Sequence, residues 1–335
     1  MTIINIHIGP HKTGTTTIQR FFFRNRTKFL SNGLLYPAAG IFDQSGHSEF
    51  AWDFRTNRVL SDELRVVNQM IDELRASSCS DFVISSEEFS DFSDVEVGRL
   101  KDLFSKFEVR IMFFVRNQVD LIRSQYVEYL KQGITSAHPL DFVGSGACGM
   151  REEFSLEKFN YQRLANLWGG VFGFDSLRPL VFSRQGTGVL ELFLKNAGIA
   201  LPVGVNLPDF EENKTPSAYA VSVLHFINCV LGSINGVHYL RRRQIIYQAF
   251  DELGEMAGRK VVPFAFPNAA CRFIESYFFQ SNKEFESKFG EGFFQKIRRE
   301  DLGGIDLCQA LESVDLDYWF NKILDQIKYS NTVVE

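Results

Sequence analysis

Residues 3–17 read Ile-Ile-Asn-Ile-His-Ile-Gly-Pro-His-Lys-Thr-Gly-Thr-Thr-Thr, and this stretch decides the fold. The apolar run from Ile3 to Ile8 predicts a buried strand. The periodic apolar segment that begins near Thr15 or Thr16 predicts an amphipathic helix. A strand that passes through a short glycine-containing loop into a helix is typical of the first βα unit of an α/β protein.

The loop between this strand and helix carries the chemistry of an anion-binding site. Gly14 permits a tight turn, and the N-H groups of Thr13 to Thr16 are expected to point into the concavity. The helix N-terminus adds partial positive charge, and Lys12 adds a full one. The sequence therefore predicts a phosphate-binding loop.

Three further apolar runs repeat the strand pattern, at Phe82–Ser85, Val109–Val115 and Pro179–Phe182. Strands that alternate with helical segments imply βαβ units, so we predict an α/β fold with a mostly parallel sheet flanked by helices. Ligands are expected at the carboxyl ends of the strands.

Strand patterns fade beyond about residue 205. Thr215-Pro216-Ser217 predicts the start of a helix that continues to about Leu231. Amphipathic segments at 239–256, 268–289 and 306–328 predict further helices. We expect one domain over 1–335, with a nucleotide-binding α/β core at 1–200 and a mainly helical part at 201–335.

Composition and net charge limit the kinds of function that the chain can have. With 335 residues and 45% hydrophobic content the chain can bury a large core, and its net charge of -5 argues against nucleic-acid binding through a basic face. Five scattered cysteines fit reduced thiols, and no metal-ligand spacing is visible. The sequence contains neither an export signal nor an apolar stretch long enough to cross a membrane. We therefore expect a cytoplasmic protein. The sequence does not indicate the oligomeric state.

The order of residues in the loop separates it from Walker A, in which lysine follows the second glycine, whereas Lys12 precedes Gly14. The Lys-Thr-Gly-Thr-Thr core resembles the 5'-phosphosulfate loop of sulfotransferases that use 3'-phosphoadenosine 5'-phosphosulfate (PAPS), in particular their bacterial branch. This resemblance implies the P-loop NTPase-like sulfotransferase fold and PAPS as donor, with 3',5'-bisphosphoadenosine (PAP) as product. It also implies that Lys12 stabilises charge on the departing nucleotide.

A second motif follows the third strand, where Arg116 precedes Ser124 by eight residues. It is similar to the 3'-phosphate motif of the same family, and an arginine at a strand end can bind phosphate through two parallel hydrogen bonds. The expected cofactor-binding set comprises His11, Lys12, Thr13, Gly14, Thr15, Thr16, Arg116 and Ser124.

Two alternatives to sulfuryl transfer remain open, a nucleotide-dependent kinase of the P-loop class and a non-catalytic nucleotide-binding module. A P-loop kinase is expected to carry a magnesium-binding aspartate where this chain has Arg116. A binding module could lack Lys12 or the residue that would act as catalytic base. The position of Lys12 before Gly14 and the presence of Arg116 after the strand therefore favour an enzyme that needs no metal.

Sulfuryl transfer to a hydroxyl requires a base. The strand at Phe82–Ser85 leads into Glu87 and Glu88 at the predicted ligand edge, and we favour Glu87 because Ser-Ser-Glu resembles a recurrent segment of the bacterial branch. His47 is the rival base, because related bacterial enzymes often carry histidine in this segment.

The resemblance leaves the acceptor open. A hydroxyl or amine of a carbohydrate or related small molecule is expected. Trp52 and Phe54 could line an aromatic wall for a sugar.

Overall fold

The structure is a computed structural model that describes residues 2–42, 45–55, 65–148, 154–182, 188–208, 217–233, 242, 244–249, 252, 262–294, 304–312 and 314–331. The chain forms two compact units. The first comprises residues 1–117, 160–212 and 279–298, and the second comprises 118–159, 213–278 and 299–335.

The first unit contains a five-stranded sheet with strand order β2-β3-β1-β4-β5. The strands are β1 (Ile3–His7), β2 (Leu34–Leu35), β3 (Asp81–Ser85), β4 (Glu108–Val115) and β5 (Leu177–Val181). Every pair in this sheet is parallel. The predicted α/β fold with a parallel sheet is therefore confirmed, and the four predicted strands lie within about two residues of their expected limits.

Helices of the first unit cover the sheet. They are α1 (Thr15–Leu30), α2 (Ser48–Arg55), α3 (Arg65–Ala76), α4 (Asp94–Leu103), α7 (Tyr161–Phe172) and α8 (Val189–Ala197). Alternate residues of β4, Met112 and Phe114, share one apolar cluster with Phe22 of α1 and Phe193 of α8. The intervening Phe113 contacts the ring of Phe285, as the alternation of side chains in a strand requires.

The described residues of the second unit are mainly helical. Its helices are α5 (Gln118–Lys131), α6 (Pro139–Ala147), α9 (Ala218–Ser233), α11 (Leu307–Leu311) and α12 (Leu316–Asn331). A further helix, α10 (Asn268–Phe289), belongs to this unit as far as Phe278. The hydroxyl of Ser217 accepts a hydrogen bond from the N-H of Ala220 and caps α9. Thr215, Pro216 and most of the predicted helix 239–256 lie outside the described residues.

One helix prediction is wrong. The segment 306–328 forms two helices, because Asp315 begins α12 as its N-terminal cap. The carboxylate of Asp315 accepts the N-H of Tyr318 at 2.9 Å, and its carbonyl accepts the N-H of Trp319. Asp306 starts α11 in the same way, through a capping box with Gln309.

Candidate active site

The loop after β1 holds its glycines and its lysine in unusual backbone conformations. Gly9 and Gly14 have φ values of 84° and 83°, which glycine adopts without strain. Lys12 has φ 64° and is the one non-glycine residue with positive φ in the described part of the chain. A lysine in the left-handed region costs free energy, and such strain concentrates at functional sites.

The predicted anion cradle consists of the N-H groups that follow Lys12. Helix α1 begins at Thr15, and within the described residues no N-H of residues 13–16 donates a hydrogen bond. These are the unsatisfied donors of a helix N-terminus. The hydroxyl of Thr13 is buried and donates to the carbonyl of Pro10 at 2.6 Å, so this side chain shapes the loop while its N-H remains available.

The predicted phosphate-binding arginine lies against this loop. Nη1 of Arg116 donates to the carbonyl oxygen of Lys12 at 2.9 Å. The Arg116 backbone is fixed by Tyr161, whose hydroxyl accepts the Arg116 N-H at 2.9 Å and lies 3.1 Å from its carbonyl oxygen. The guanidinium carbon lies 5.1 Å from the centre of the Phe182 ring. Two cationic residues from distant parts of the chain thus converge on one loop.

Glu87 lies on the opposite side of the same loop. Its Oε2 accepts a hydrogen bond from Nε2 of Gln19 at 2.7 Å, and its Oε1 lies 4.0 Å from Nδ1 of His11. A Cβ atom at Gly9 would lie 3.1 Å from the Glu87 Cα, so glycine is needed there for the loop to approach this closely. The Glu87 side chain keeps 23% of its surface exposed.

Glu88 has a different environment from its neighbour. Its Oε2 accepts a hydrogen bond from Nη1 of Arg55 at 3.0 Å, and its N-H donates to the hydroxyl of Ser86. This ion pair with Arg55 engages the Glu88 carboxylate. Of the two glutamates, Glu87 is therefore the better placed to accept a proton near the loop.

His47, the rival base, is buried and engaged through both ring nitrogens. Its Nδ1 accepts the N-H of Ser85 at 3.1 Å, which leaves the proton on Nε2, 3.1 Å from the carbonyl of Pro37. Burial lowers the pKa of His47 to about 4. The ring also contacts Tyr36 at 4.6 Å between centroids. These contacts suit a neutral residue that holds the end of β3 in place.

A second buried histidine lies at the same end of the sheet. Nδ1 of His7 lies 2.8 Å from the hydroxyl of Ser85, and its ring packs edge-on against Phe114 and Phe193. Burial lowers the pKa of His7 to about 3. Ser85, which leads into Glu87, is therefore held by two neutral histidines.

Ser124 belongs to the second unit, on α5. Its hydroxyl donates to the carbonyl of Asp120 one turn earlier at 2.9 Å. This is a common intrahelical bond for serine. Its predicted part in phosphate binding stays a prediction.

Sequence reasoning missed two residues that organise this site, Gln19 and Tyr161. Gln19 lies one turn after Thr15 on α1, and this helical spacing is the signal that could have drawn attention to it. No local pattern indicated Tyr161, which meets Arg116 across 45 residues. The aromatic wall is also changed: Phe54 is buried against Phe50 and Phe92 and does not line a surface.

The described residues contain neither a metal-binding cluster nor a membrane-spanning helix. No group of three or more histidine, cysteine, aspartate or glutamate side chains there could hold a metal ion. No described helix combines the length and apolar character needed to cross a membrane.

No protein-family model and no curated protein matches the sequence. Among solved structures, a crystal structure of a sulfotransferase from Alicyclobacillus acidocaldarius is similar at a TM-score of 0.42 and 16% identity. The similarity covers 77% of this chain and 96% of that one. A likeness of this strength establishes neither a shared fold nor a shared activity.

Proposed function

We propose that this chain is a PAPS-dependent sulfotransferase that acts on a hydroxyl or amine of a carbohydrate or related small molecule. The observation that carries the proposal is the hydrogen bond from Arg116 Nη1 to the Lys12 carbonyl at 2.9 Å. It joins the residues expected at the two anionic ends of PAPS. The unsatisfied N-H groups of residues 13–16 beside them suit an anionic group.

PAPS supplies an activated sulfuryl group on a nucleotide leaving group. In this proposal Lys12 and the N-H groups of residues 13–16 hold the phosphosulfate, and Arg116 holds the 3'-phosphate. A part for Ser124 in binding the 3'-phosphate stays a prediction of the family resemblance. Lys12 provides the positive charge that the leaving oxygen requires. Preorganised charges of this kind act mainly in the transition state.

Glu87 is proposed as the base. It accepts the proton that the acceptor loses, and Gln19 orients the carboxylate through Oε2. That bond leaves Oε1 for the acceptor on the side of His11. His47 and His7 act as positioning residues, because each contacts Ser85 two residues before Glu87.

Incubation with ³⁵S-labelled PAPS and a panel of glycosides, amines and phenols tests this function. We expect label in at least one acceptor, equimolar release of PAP, and loss of both in Lys12→Ala. Phosphate transfer from γ-³²P-ATP, with none of the label transferred from PAPS, would favour the kinase alternative.

A further inference from the structure

Charge is unevenly distributed along the chain. Residues 1–42 contain five lysines and arginines but no aspartate or glutamate, although the whole chain has 41 acidic residues. Helix α1 carries four of these five cations. Residues 192–208, which share an apolar cluster with α1, add a lysine and again no acidic residue. The nearest carboxylates in sequence to this second stretch are Glu191 at the start of α8 and Asp209, which lies outside the described residues.

The loop after α8 is fixed against the C-terminal end of α1. Nζ of Lys28 donates a hydrogen bond to the carbonyl of Gly204 at 2.7 Å. Val205 of the loop and Phe29 of α1 belong to one buried apolar cluster. Both elements are part of the first unit. The loop and the last turns of α1 therefore form one continuous surface.

This loop holds an aliphatic side chain out in solvent. The N-H of Val205 donates to the carbonyl of Pro202 at 3.0 Å, and Gly204 has a φ of 75°, which a type II turn requires at its third residue. Pro202 and Val205 are buried, whereas Val203 at the apex is 97% exposed and Leu201 is 39% exposed. Val203 buries almost no surface in the folded chain, so the fold gains nothing from an aliphatic residue there. A contact outside the chain would explain it.

Cations lie beside this apex. The Lys28 ammonium group is next to Val203 because it binds the carbonyl of Gly204. Arg24 is one turn before Lys28 on the same side of α1, about 6 Å away along the helix axis. Both residues are exposed, and within the part of the chain that the structure describes the Arg24 guanidinium has no ion-pair or hydrogen-bond partner. Its charge is therefore available to an anion.

An anionic membrane surface matches both the cations and the aliphatic apex. Anionic headgroups attract lysine and arginine, and exposed aliphatic side chains partition into the boundary between headgroups and acyl chains. A nucleic acid or another soluble polyanion would pair with the cations but would gain nothing from Val203, because such ligands are bound through charge and stacking. The net charge of -5 does not prevent this contact, since charges more than about 8 Å away are largely screened at physiological ionic strength.

We propose that the face formed by Arg24, Lys28, Leu201 and Val203 docks the protein on an anionic lipid surface. In this arrangement Leu201 and Val203 enter the headgroup region, and Arg24 and Lys28 contact lipid phosphates. The inference does not depend on the proposed function, because none of these four residues belongs to the proposed catalytic site.

Co-sedimentation of the full-length protein with lipid vesicles tests the proposal. One set of vesicles is phosphatidylcholine alone, and the other contains about one third phosphatidylglycerol, both in about 0.1 M NaCl, where charges at a surface still interact. We expect the protein to sediment with the anionic vesicles and to bind phosphatidylcholine at least about 10-fold more weakly.

Val203→Ser should raise the apparent Kd for the anionic vesicles by about 5- to 10-fold, which corresponds to about 1 to 1.4 kcal/mol for a buried aliphatic group. Arg24→Gln should raise it by about 5-fold, because one cation near such a surface contributes about 1 kcal/mol. Val95→Ser on α4 and Arg75→Gln on α3 are the matched controls, since they alter an exposed valine and an exposed arginine elsewhere in the first unit. Both controls should leave the Kd unchanged.

Three results would overturn the proposal: no sedimentation with the anionic vesicles, equal binding to phosphatidylcholine alone, or an unchanged Kd in Val203→Ser. If the Kd is unchanged in Val203→Ser while Arg24→Gln weakens retention on heparin, the cations bind a soluble polyanion and not a membrane. Circular dichroism of each variant, which should match that of the unaltered protein, confirms that the losses do not come from unfolding.

Discussion

Gln19 donates a hydrogen bond from Nε2 to Oε2 of Glu87 at 2.7 Å, across 68 residues of sequence. Gln19 is buried one turn into α1, the helix that begins at the proposed anion cradle. One helix therefore both starts at this loop and holds the Glu87 carboxylate. In the proposed function, this coupling would keep the anion and the base at a fixed separation.

Glu87→Gln keeps the size of the side chain and removes its basicity. We expect kcat to fall roughly 10²- to 10⁴-fold with little change in PAP affinity, measured by initial rates and calorimetry. Glu88→Gln is the matched control, because Glu88 lies in the same turn but is engaged by Arg55. Equal losses in both variants would show that the turn, and not the Glu87 carboxylate, is what matters.

Lys12→Ala should lower turnover by at least about 10²-fold, because a preorganised cation acts on the leaving group in the transition state. Lys12→Gly should be equally inactive but no less stable to urea than Lys12→Ala, since glycine adopts the φ of 64° without strain. Arg20→Ala, which alters an exposed cation of α1, is the control. Near wild-type rates in Lys12→Ala would remove this residue from the mechanism.

Arg116→Ala should weaken PAP binding by roughly 2 to 5 kcal/mol if the guanidinium binds a desolvated 3'-phosphate. Ser124→Ala should weaken PAP binding by less than Arg116→Ala does. Adenosine 5'-phosphosulfate lacks the 3'-phosphate, so its affinity should change far less in Arg116→Ala. Equal losses for both nucleotides would mean that Arg116 supports the loop through Lys12 and does not bind the 3'-phosphate.

His47 should make the protein less stable in acid. Its folded pKa is about 4, so between pH 4 and its unfolded value of 6.5 the unfolded chain binds more protons. Stability from this ring is complete above pH 6.5 and is lost as the pH falls, by about 2 kcal/mol between pH 8 and pH 5. Urea unfolding should show a smaller loss in His47→Gln. An identical loss in both proteins would contradict a buried, neutral His47.

Four of the five strands could be predicted from sequence because they are short, mainly apolar runs that alternate with segments of helical periodicity. Strand β2 has only Leu34 and Leu35, too few residues for a periodic signal, and was missed. The break between α11 and α12 was missed because the apolar period continues across Asp315, while the cap that interrupts the helix is a single side-chain contact.

The site was predictable only where its residues are adjacent in sequence. Lys12 and the threonines around Gly14 share one loop, and Glu87 follows directly from a predicted strand. The contacts that join Gln19 to Glu87 and Tyr161 to Arg116 depend on tertiary packing over many residues, and no local pattern encodes them. The sequence also does not show which aromatic side chains are exposed to solvent. Phe42 is exposed and Phe54 is buried, although both lie in aromatic-rich sequence.

Calorimetric titration with PAP and with ATP, each with and without EDTA, tests most directly whether the proposed cradle and Arg116 bind a bisphosphorylated adenosine without a metal. We expect PAP to bind far more tightly than ATP, and EDTA to leave the affinity for PAP unchanged. Tighter binding of ATP, or PAP binding that disappears when EDTA removes divalent cations, would contradict it.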